Sequence, residues 1–239
     1  MDRNEIKARL EKNGILFREE LPGMLVRYMY MLQEWNRRMD LTSVCDEEET
    51  LDRHFIDSLT VLKTGLLSGA MTMIDVGTGA GFPGMVLAMA CPDLHVTLLD
   101  SQRKRLTFLE EVGKTVQVGN ISIIHARAED GGHRPELRER FDIAAARALA
   151  PAGVLCEYLL PFVRTGGCAL FWKGPALKDE TDSGRRAAHL LGGKLETPVS
   201  CPITDRNWEH QILPVRKLRH TPSMYPRKAG IPKRIPLGL

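Results

Sequence analysis

Apolar residues in the first 70 positions recur at helical steps. Leu25, Tyr28, Met29, Leu32, Trp35 and Met39 fall three or four apart and predict an amphipathic helix over 25–39. Leu51, Phe55, Leu59 and Leu62 repeat the spacing and predict a second helix, stopped by Gly65 and Gly69. Between the two, Asp40-Leu41-Thr42-Ser43 reads as a connector, so residues 1–70 are expected to be helical throughout.

From Met71 the rhythm becomes strand, turn, helix. Short apolar runs predict strands at 71–76, 95–99, 121–125, 141–146 and 168–172. The intervening stretches predict helices at 82–90, 101–116, with Leu106, Leu109 and Val112 inward, and 152–163. Strands alternating with helices imply a parallel sheet covered on both faces. After Gly174 a polar helix at 177–191 precedes two strand-like runs, 194–200 and 208–215, close enough to pair as an antiparallel hairpin at the sheet edge. Pro222, Pro226, Pro232 and Pro236 break up the last twenty residues, which read as an extended arm. The expected organisation is a helical extension (1–70), an α/β domain (71–218) and a basic, proline-rich arm (219–239).

Composition adds bounds. At 239 residues and 43% hydrophobic the chain can bury a full core. The net charge of +3 is uninformative, but its distribution is not: Arg216, Lys217, Arg219, Arg227, Lys228, Lys233 and Arg234 follow one another with no acid among them. The acidic cluster Asp46, Glu47, Glu48 and Glu49 suits a helix N-terminus. Cys45, Cys91, Cys156, Cys168 and Cys201 are scattered without a CxxC pair, which argues against a zinc module or a disulfide framework and for small buried hydrophobes in a reducing compartment. No signal peptide is visible and no apolar run approaches the roughly 18 residues of a membrane span. A cytoplasmic monomer with no bound metal is expected.

The chemistry concentrates in 71–84. An apolar strand carries Asp75 near its end, Gly77, Gly79 and Gly81 follow on alternate positions, and an apolar helix runs on from Phe82. Glycines so spaced let a backbone turn sharply and approach a ligand closely, and the next helix aims free N–H groups at the same point. Asp100, closing the next strand, is placed to take two ribose hydroxyls. Gly79-Ala80-Gly81-Phe82-Pro83-Gly84 also matches GxGxxG, so a NAD-dependent oxidoreductase has to be weighed. Two features lean elsewhere. The acid–x–Gly–x–Gly order suits a ligand with an ammonium group, and no second mononucleotide half follows residue 174. The bland alternative is a tight strand–helix turn with no ligand.

The segment DVGTGAGFPG (75–84) followed by TLLDSQRKRLTFL (97–109) resembles the class I S-adenosylmethionine (SAM) methyltransferases, and more narrowly the bacterial RsmG family, also called GidB or glucose-inhibited division protein B. Further similar stretches are Glu34-Trp35-Asn36 leading to Leu41-Thr42, RHFIDSL (53–59), Ala145-Ala146-Arg147-Ala148, Trp172-Lys173-Gly174 and YPRKAG (225–230). They span nearly the whole chain in order. One departure is Asp40, where the family usually has asparagine. The resemblance implies a Rossmann-like α/β fold with a mostly parallel seven-stranded sheet. It also implies methylation of guanine N7 in the decoding region of 16S ribosomal RNA, on naked RNA, a 30S subunit or an assembly intermediate.

On that resemblance Gly77 and Phe82 line the SAM site, with the 77–81 backbone beneath the methionine portion. Asp100 takes the ribose, Ala128 and Glu129 flank the adenine, and Arg147 belongs to the site; Asp75, Gly79 and Ser101 complete the expected set. Guanine N7 carries an in-plane lone pair and no proton, so no dedicated general base is expected, and in-line placement should carry the rate. Arg147 and Lys173 are the candidate catalytic side chains. Each has a structural alternative: Asp100 as a helix cap, Arg147 paired with a carboxylate, Arg53–Asp57 as an ordinary helical ion pair, His125 as packing. In the basic arm Arg227, Lys228, Lys233 and Arg234 are candidates to follow RNA phosphates, with Tyr225 stacking on a base; the alternative is that 225–230 packs back on the domain. Truncation after Pro222 is then expected to weaken RNA binding and spare SAM affinity. Competing functions are a non-catalytic ribosome-assembly factor with a relic pocket, and a small-molecule methyltransferase, which would leave the basic arm unexplained.

Overall fold

A computed structural model describes residues 1–44 and 46–239. Helix α1 (Arg3–Lys12) begins with a capping box, Asp2 accepting the Asn4 and Glu5 amides while Glu5 returns to the Asp2 amide. Helix α2 (Leu21–Asn36) buries Leu25, Tyr28, Met29 and Leu32, the predicted face. It starts four residues earlier than expected because Pro22 is compatible with a first turn. It ends at Asn36, whose Oδ1 accepts the Leu41 and Thr42 amides at 2.8 and 2.9 Å and so folds the connector back.

The second predicted helix is three kinds of helix in series. Asp46 caps α3 (Glu47–Thr50), a π turn covers Leu51–Ile56, and α4 (Asp57–Leu59) leads into a 3₁₀ turn, Thr60–Lys63. The π turn adds a residue ahead of Asp57. Buried Asp57 faces the strand tips and bonds Arg147 and His210, whereas Arg53 pairs with Glu49. The expected Arg53–Asp57 pair is therefore not made.

The sheet contains β1 (Thr72–Val76), β2 (His95–Asp100), β3 (Ile121–His125), β4 (Phe141–Arg147), β5 (Val163–Lys173), β6 (Gly193–Leu195), β7 (Val199–Ser200) and β8 (Gln211–Lys217). Its order is β3-β2-β1-β4-β5-β8-β6, with β7 also on β8. The first five strands are parallel, and β8 is antiparallel to β5. The predicted run 194–200 splits in two. Leu195 faces Val215 but Val199 faces Ile212, a one-residue slip that accommodates Pro198, which has no N–H to give the ladder. The split adds an eighth, two-residue strand to the seven expected.

Helices α5 (Gly84–Ala90) and α6 (Arg103–Val116) cover one face together with the N-terminal helices, and α7 (Ala128–Gly131), α8 (Ala152–Leu159) and α9 (Leu177–Leu190) cover the other. Two cores result. Tyr28, Phe55, Met85, Leu98, Phe108 and Leu170 belong to the first; Val76, Ala144, Leu155, Phe162, Phe171 and Leu213 belong to the second. Their side alternates along each strand, as a pleated sheet requires. No helix among the described residues is long and apolar enough to cross a membrane. Cys156, Cys168 and Cys201 are buried free thiols; Cys45 lies outside the described residues.

The C-terminal residues are not an extended arm. They fold onto α7 and α8, form the short helix α10 (Ile231–Arg234) and place Leu237 against the second core. The reason is a buried carboxylate: Glu157 on α8 is fully enclosed and takes three bonds from the Arg227 backbone and guanidinium at 2.7–2.9 Å. A charge at that depth has to be paired.

Asp52 is also fully buried and joins distant segments, with Arg9 of α1 bidentate at 2.8 Å and Arg206 of the loop before β8 at 2.6 Å. Asp52→Ala removes the shared buried acceptor of two guanidinium groups, leaving Arg9 with Asp205 and the Thr204 carbonyl and Arg206 with Glu48. It should reduce unfolding free energy by about 2–3 kcal/mol. Urea titration checks this; an unchanged midpoint would show that the bridge contributes nothing net.

Candidate functional site: two cavities at the strand tips

The loop after β1 is held by its own carboxylate. Asp75 Oδ2 accepts the Thr78 hydroxyl at 2.6 Å and the Gly84 amide at 2.9 Å, which ties the loop to the start of α5. Asp75 is completely buried and lines neither cavity, so it acts on the site by shaping the loop; among the described residues its Oδ1 has no hydrogen-bond partner. Gly81 sits at φ +96, where a side chain would meet Leu109 Cδ2 at 2.7 Å and the Tyr28 hydroxyl. Gly77, at φ +70, donates its amide to Leu99 O and faces Leu149, whose Cδ1 would lie 2.9 Å from a Cβ there. No residue but glycine meets both demands.

The smaller cavity, about 140 Å³, lies beyond the tips of β1, β2 and β3. Gly77, Asp100, Ser101, Ala128 and Glu129 all line it, five of the expected cofactor residues in one place. Asp100 is buried and preorganised: Oδ2 accepts the Gly79 amide at 2.9 Å and Oδ1 the Gln102 amide at 2.8 Å. Each oxygen keeps a second lone pair, so capping and ligand binding are compatible. Gly79 reaches the site through this bond rather than as a wall. His125 is exposed and its Nε2 lies 3.0 Å from the Ser101 carbonyl. Leu149, Tyr158, Gly230 and Lys233 also line it; none of them was expected there from the sequence, which pointed Lys233 to RNA instead.

The larger cavity, about 380 Å³, opens at the tips of β4 and β5 and includes Arg147, Lys173, Trp172, His54, Asp57 and His210. Arg147 donates to the Arg53 carbonyl at 2.6 Å and to Asp57 Oδ2 at 3.0 Å, and its Nη2 lies 3.0 Å from His54 Nδ1. Burial and the neighbouring Arg147 charge push His54 down to about 3. A neutral His54 accepts from Arg147 at Nδ1 and donates from Nε2 to the Thr42 hydroxyl at 2.8 Å. Asp57 Oδ1 also holds His210 Nδ1 at 2.7 Å, and His210 stacks on Trp208. Lys173 pairs with Glu180 and reaches the Ala150 carbonyl at 3.2 Å.

Phe82 is nearly buried and lies beneath this constellation. Its ring stacks on His54 at 4.7 Å and on Tyr28 at 5.6 Å, with the Arg147 guanidinium 5.1 Å above. It is a floor for Arg147 and His54, and not part of the lining of either cavity. The two cavities meet at one turn: Ala148 and Ala150 line the larger, Leu149 the smaller. Ala148 holds φ +52, which is uncommon for a residue with a Cβ.

Of the four arm residues expected at RNA, Arg227 is committed to buried Glu157, a correction that follows from the same ion pair that folds the tail. Lys233 faces the smaller cavity, while Lys228 and Arg234 are exposed. A cut after Pro222 would remove Gly230 and Lys233, which line the smaller cavity.

Burial raises the Asp75 carboxyl to about 6 from 3.8, against the opposing bonds from Thr78 and Gly84. The folded chain then keeps a proton that the unfolded chain has lost, so this contribution to stability is intact below pH 3.8, declines above it and is gone beyond about pH 6. Asp75→Asn cannot ionise. Its melting temperature relative to the parent should therefore be higher at about pH 8 than at about pH 4. Equal differences at both pH values would show that Asp75 does not titrate this way.

With this geometry in view, likeness to known proteins is specific. The sequence model of GidB, rRNA small subunit methyltransferase G, matches residues 23–208. The chain is 43% identical over 215 residues to the ribosomal RNA small subunit methyltransferase G of Alkaliphilus oremlandii, covering 90% of each chain. It is 41% identical over 227 residues to that of Clostridium beijerinckii, covering 95% of each. A SAM-dependent methyltransferase from Aquifex aeolicus superposes with a TM-score of 0.53 at 17% identity, over 71% of this chain and 94% of that one. A mutant 16S rRNA (adenine(1408)-N(1))-methyltransferase from Catenulisporales acidiphilia gives 0.51 at 14%, over 66% and 90%. These two share the fold. The glycine loop, the strand order and the sequence likeness over most of its length agree, and the chain belongs to the GidB family of rRNA small subunit methyltransferases.

Proposed function

We propose that this chain transfers the methyl group of SAM to N7 of a guanine in the decoding region of 16S ribosomal RNA, free or within a 30S particle, as a monomer in the cytoplasm. The observation that carries this reading is the pair of cavities meeting at Leu149. One has a preorganised carboxylate at a strand tip, and the other is lined by arginine, lysine, tryptophan and histidine. The residues present fit the cosubstrate. Asp100 has acceptor capacity for a ribose at the strand tip, next to the Gly77 backbone in the cavity lining. SAM would be held by Gly77, Asp100, Ser101, Ala128 and Glu129, and supplies an electrophilic methyl on a sulfonium.

The protein's part is placement. In this reading the helical extension (1–70) lends Arg53, His54 and Asp57 to the acceptor cavity. The domain at 71–218 lends Arg147, Trp172 and Lys173, and the tail (219–239) reaches the donor side. Asp57 is engaged by Arg147 and His210, His54 is held neutral with both nitrogens occupied, and Lys173 is paired. Groups tied to one another in this way serve a nucleophile that brings its own lone pair. A base of guanine could rest against Arg147 and Lys173, with Lys228, Lys233 and Arg234 following the phosphates. Against an oxidoreductase stand the family relationship and the single mononucleotide half; against a relic pocket stands the intact Asp100 geometry.

Purified chain, labelled SAM and 30S subunits from a strain lacking the gene test this directly. Label should map to guanine N7 of the small-subunit RNA, and label on another atom would refute the N7 assignment. Asp100→Ala should raise the KM for SAM at least about tenfold through loss of charged hydrogen bonds. His210→Asn should keep kcat within about tenfold, because removing a true general base costs about 10²–10⁴-fold. A thousandfold loss would mean that a base takes part.

A further inference from the structure

The tail, residues 219–239, lies beyond the residues that the family model matches (23–208) and enters the smaller cavity. It is anchored at both ends. Arg138 holds the Tyr225 carbonyl at 2.8 Å and the Thr221 carbonyl at 2.8 Å, and His133 Nε2 holds Pro226 O at 2.6 Å. Pro226 lies where a side chain on Gly132 would sit, 2.8 Å from Cγ, and Leu237 O lies 2.8 Å from the Cβ that Gly153 lacks. Both sites are notches for this segment. Between the anchors Arg227 is clamped on Glu157, and its Nη2 also donates to the Ile235 carbonyl at 2.8 Å, closing the loop around α10.

The clamp presents one backbone group to the site. Gly230, at φ +82, donates its amide to Glu129 Oε1 at 2.9 Å, and the Tyr158 hydroxyl lies 3.4 Å from the same oxygen. Glu129 is buried and lines the cavity at the start of α7. Gly230 and Lys233 stand in the same lining as Asp100. Among the described residues, nothing else in the cavity wall comes from so far along the chain.

We infer that residues 225–237 form a wall of the methyl-donor site, with Arg227 as a positioning residue that sets Gly230 and, through its amide, the Glu129 side chain at the nucleoside end of the pocket. The inference rests on reading the smaller cavity as the donor site. Binding of the donor and docking of the tail are then linked, because each stabilises the arrangement that the other uses. Arg227→Lys keeps a charge but not the fork that meets both Glu157 oxygens and the Ile235 carbonyl, so it should bind the donor less tightly than the parent.

The test compares the full chain with one ending at Lys228, which keeps Arg227 and loses Gly230 and Lys233. Two probes are titrated calorimetrically: S-adenosylhomocysteine and 5′-methylthioadenosine, which lacks the amino-acid portion. Loss of a hydrogen bond to a buried carboxylate should weaken both by about tenfold, and equally. Unchanged affinity, or weakening confined to S-adenosylhomocysteine, overturns the inference. To remove any dependence on how the shortened chain folds, hydrogen exchange is also followed in the intact protein. Amides in 226–235 should slow on saturation with S-adenosylhomocysteine, and unaltered exchange there likewise overturns it. The Asp100→Ala chain separates the two readings. If it loses both probes while the shortened chain does not, the donor site stands and only the tail's role fails; a parent that binds neither probe sinks both.

Discussion

Parallel strands that leave β1 in opposite directions impose the constraint on which this molecule rests. The chain builds β2 and β3 on one side of β1, then returns to lay β4 and β5 on the other. The loops leaving β1 and β4 therefore diverge, and a crevice opens above the carboxyl ends of the strands. The candidate ligand-binding groups are there because of that reversal. Asp100 comes from one side of it and Arg147 from the other, and Leu149 lies on the turn between.

Buried charge then decides how the peripheral segments close over the crevice. Asp57, Asp52 and Glu157 are each nearly or fully enclosed, and each is met by arginines from remote segments. Such pairs add little net stability over an apolar packing, but removing one partner is costly, so they fix which segments dock together. Asp57 brings the N-terminal helices to β4, Asp52 brings α1 to the loop before β8, and Glu157 brings the tail to α8.

Much of this was legible along the chain. Five parallel strands, the helices α5, α6 and α8 between them and the glycine loop follow from periodicity and turn chemistry, which act over a few residues, whereas the short α7 was not foreseen. Five expected cofactor residues share one cavity because ligand sites in such sheets lie at strand ends, a position readable from chain order. The edge hairpin was also legible, apart from the slip at Pro198.

What the sequence by itself determined is therefore the local grammar: which residues make strands, which glycines turn, and which acid ends β2. The tertiary structure alone decided the long-range pairings. Nothing near Arg227 in sequence discloses that its partner is Glu157, 70 residues earlier, or that Asp57 prefers Arg147 and His210 to its helical neighbour. Such choices depend on which carboxylates become inaccessible to water, and that is a property of the packed molecule rather than of any stretch of it.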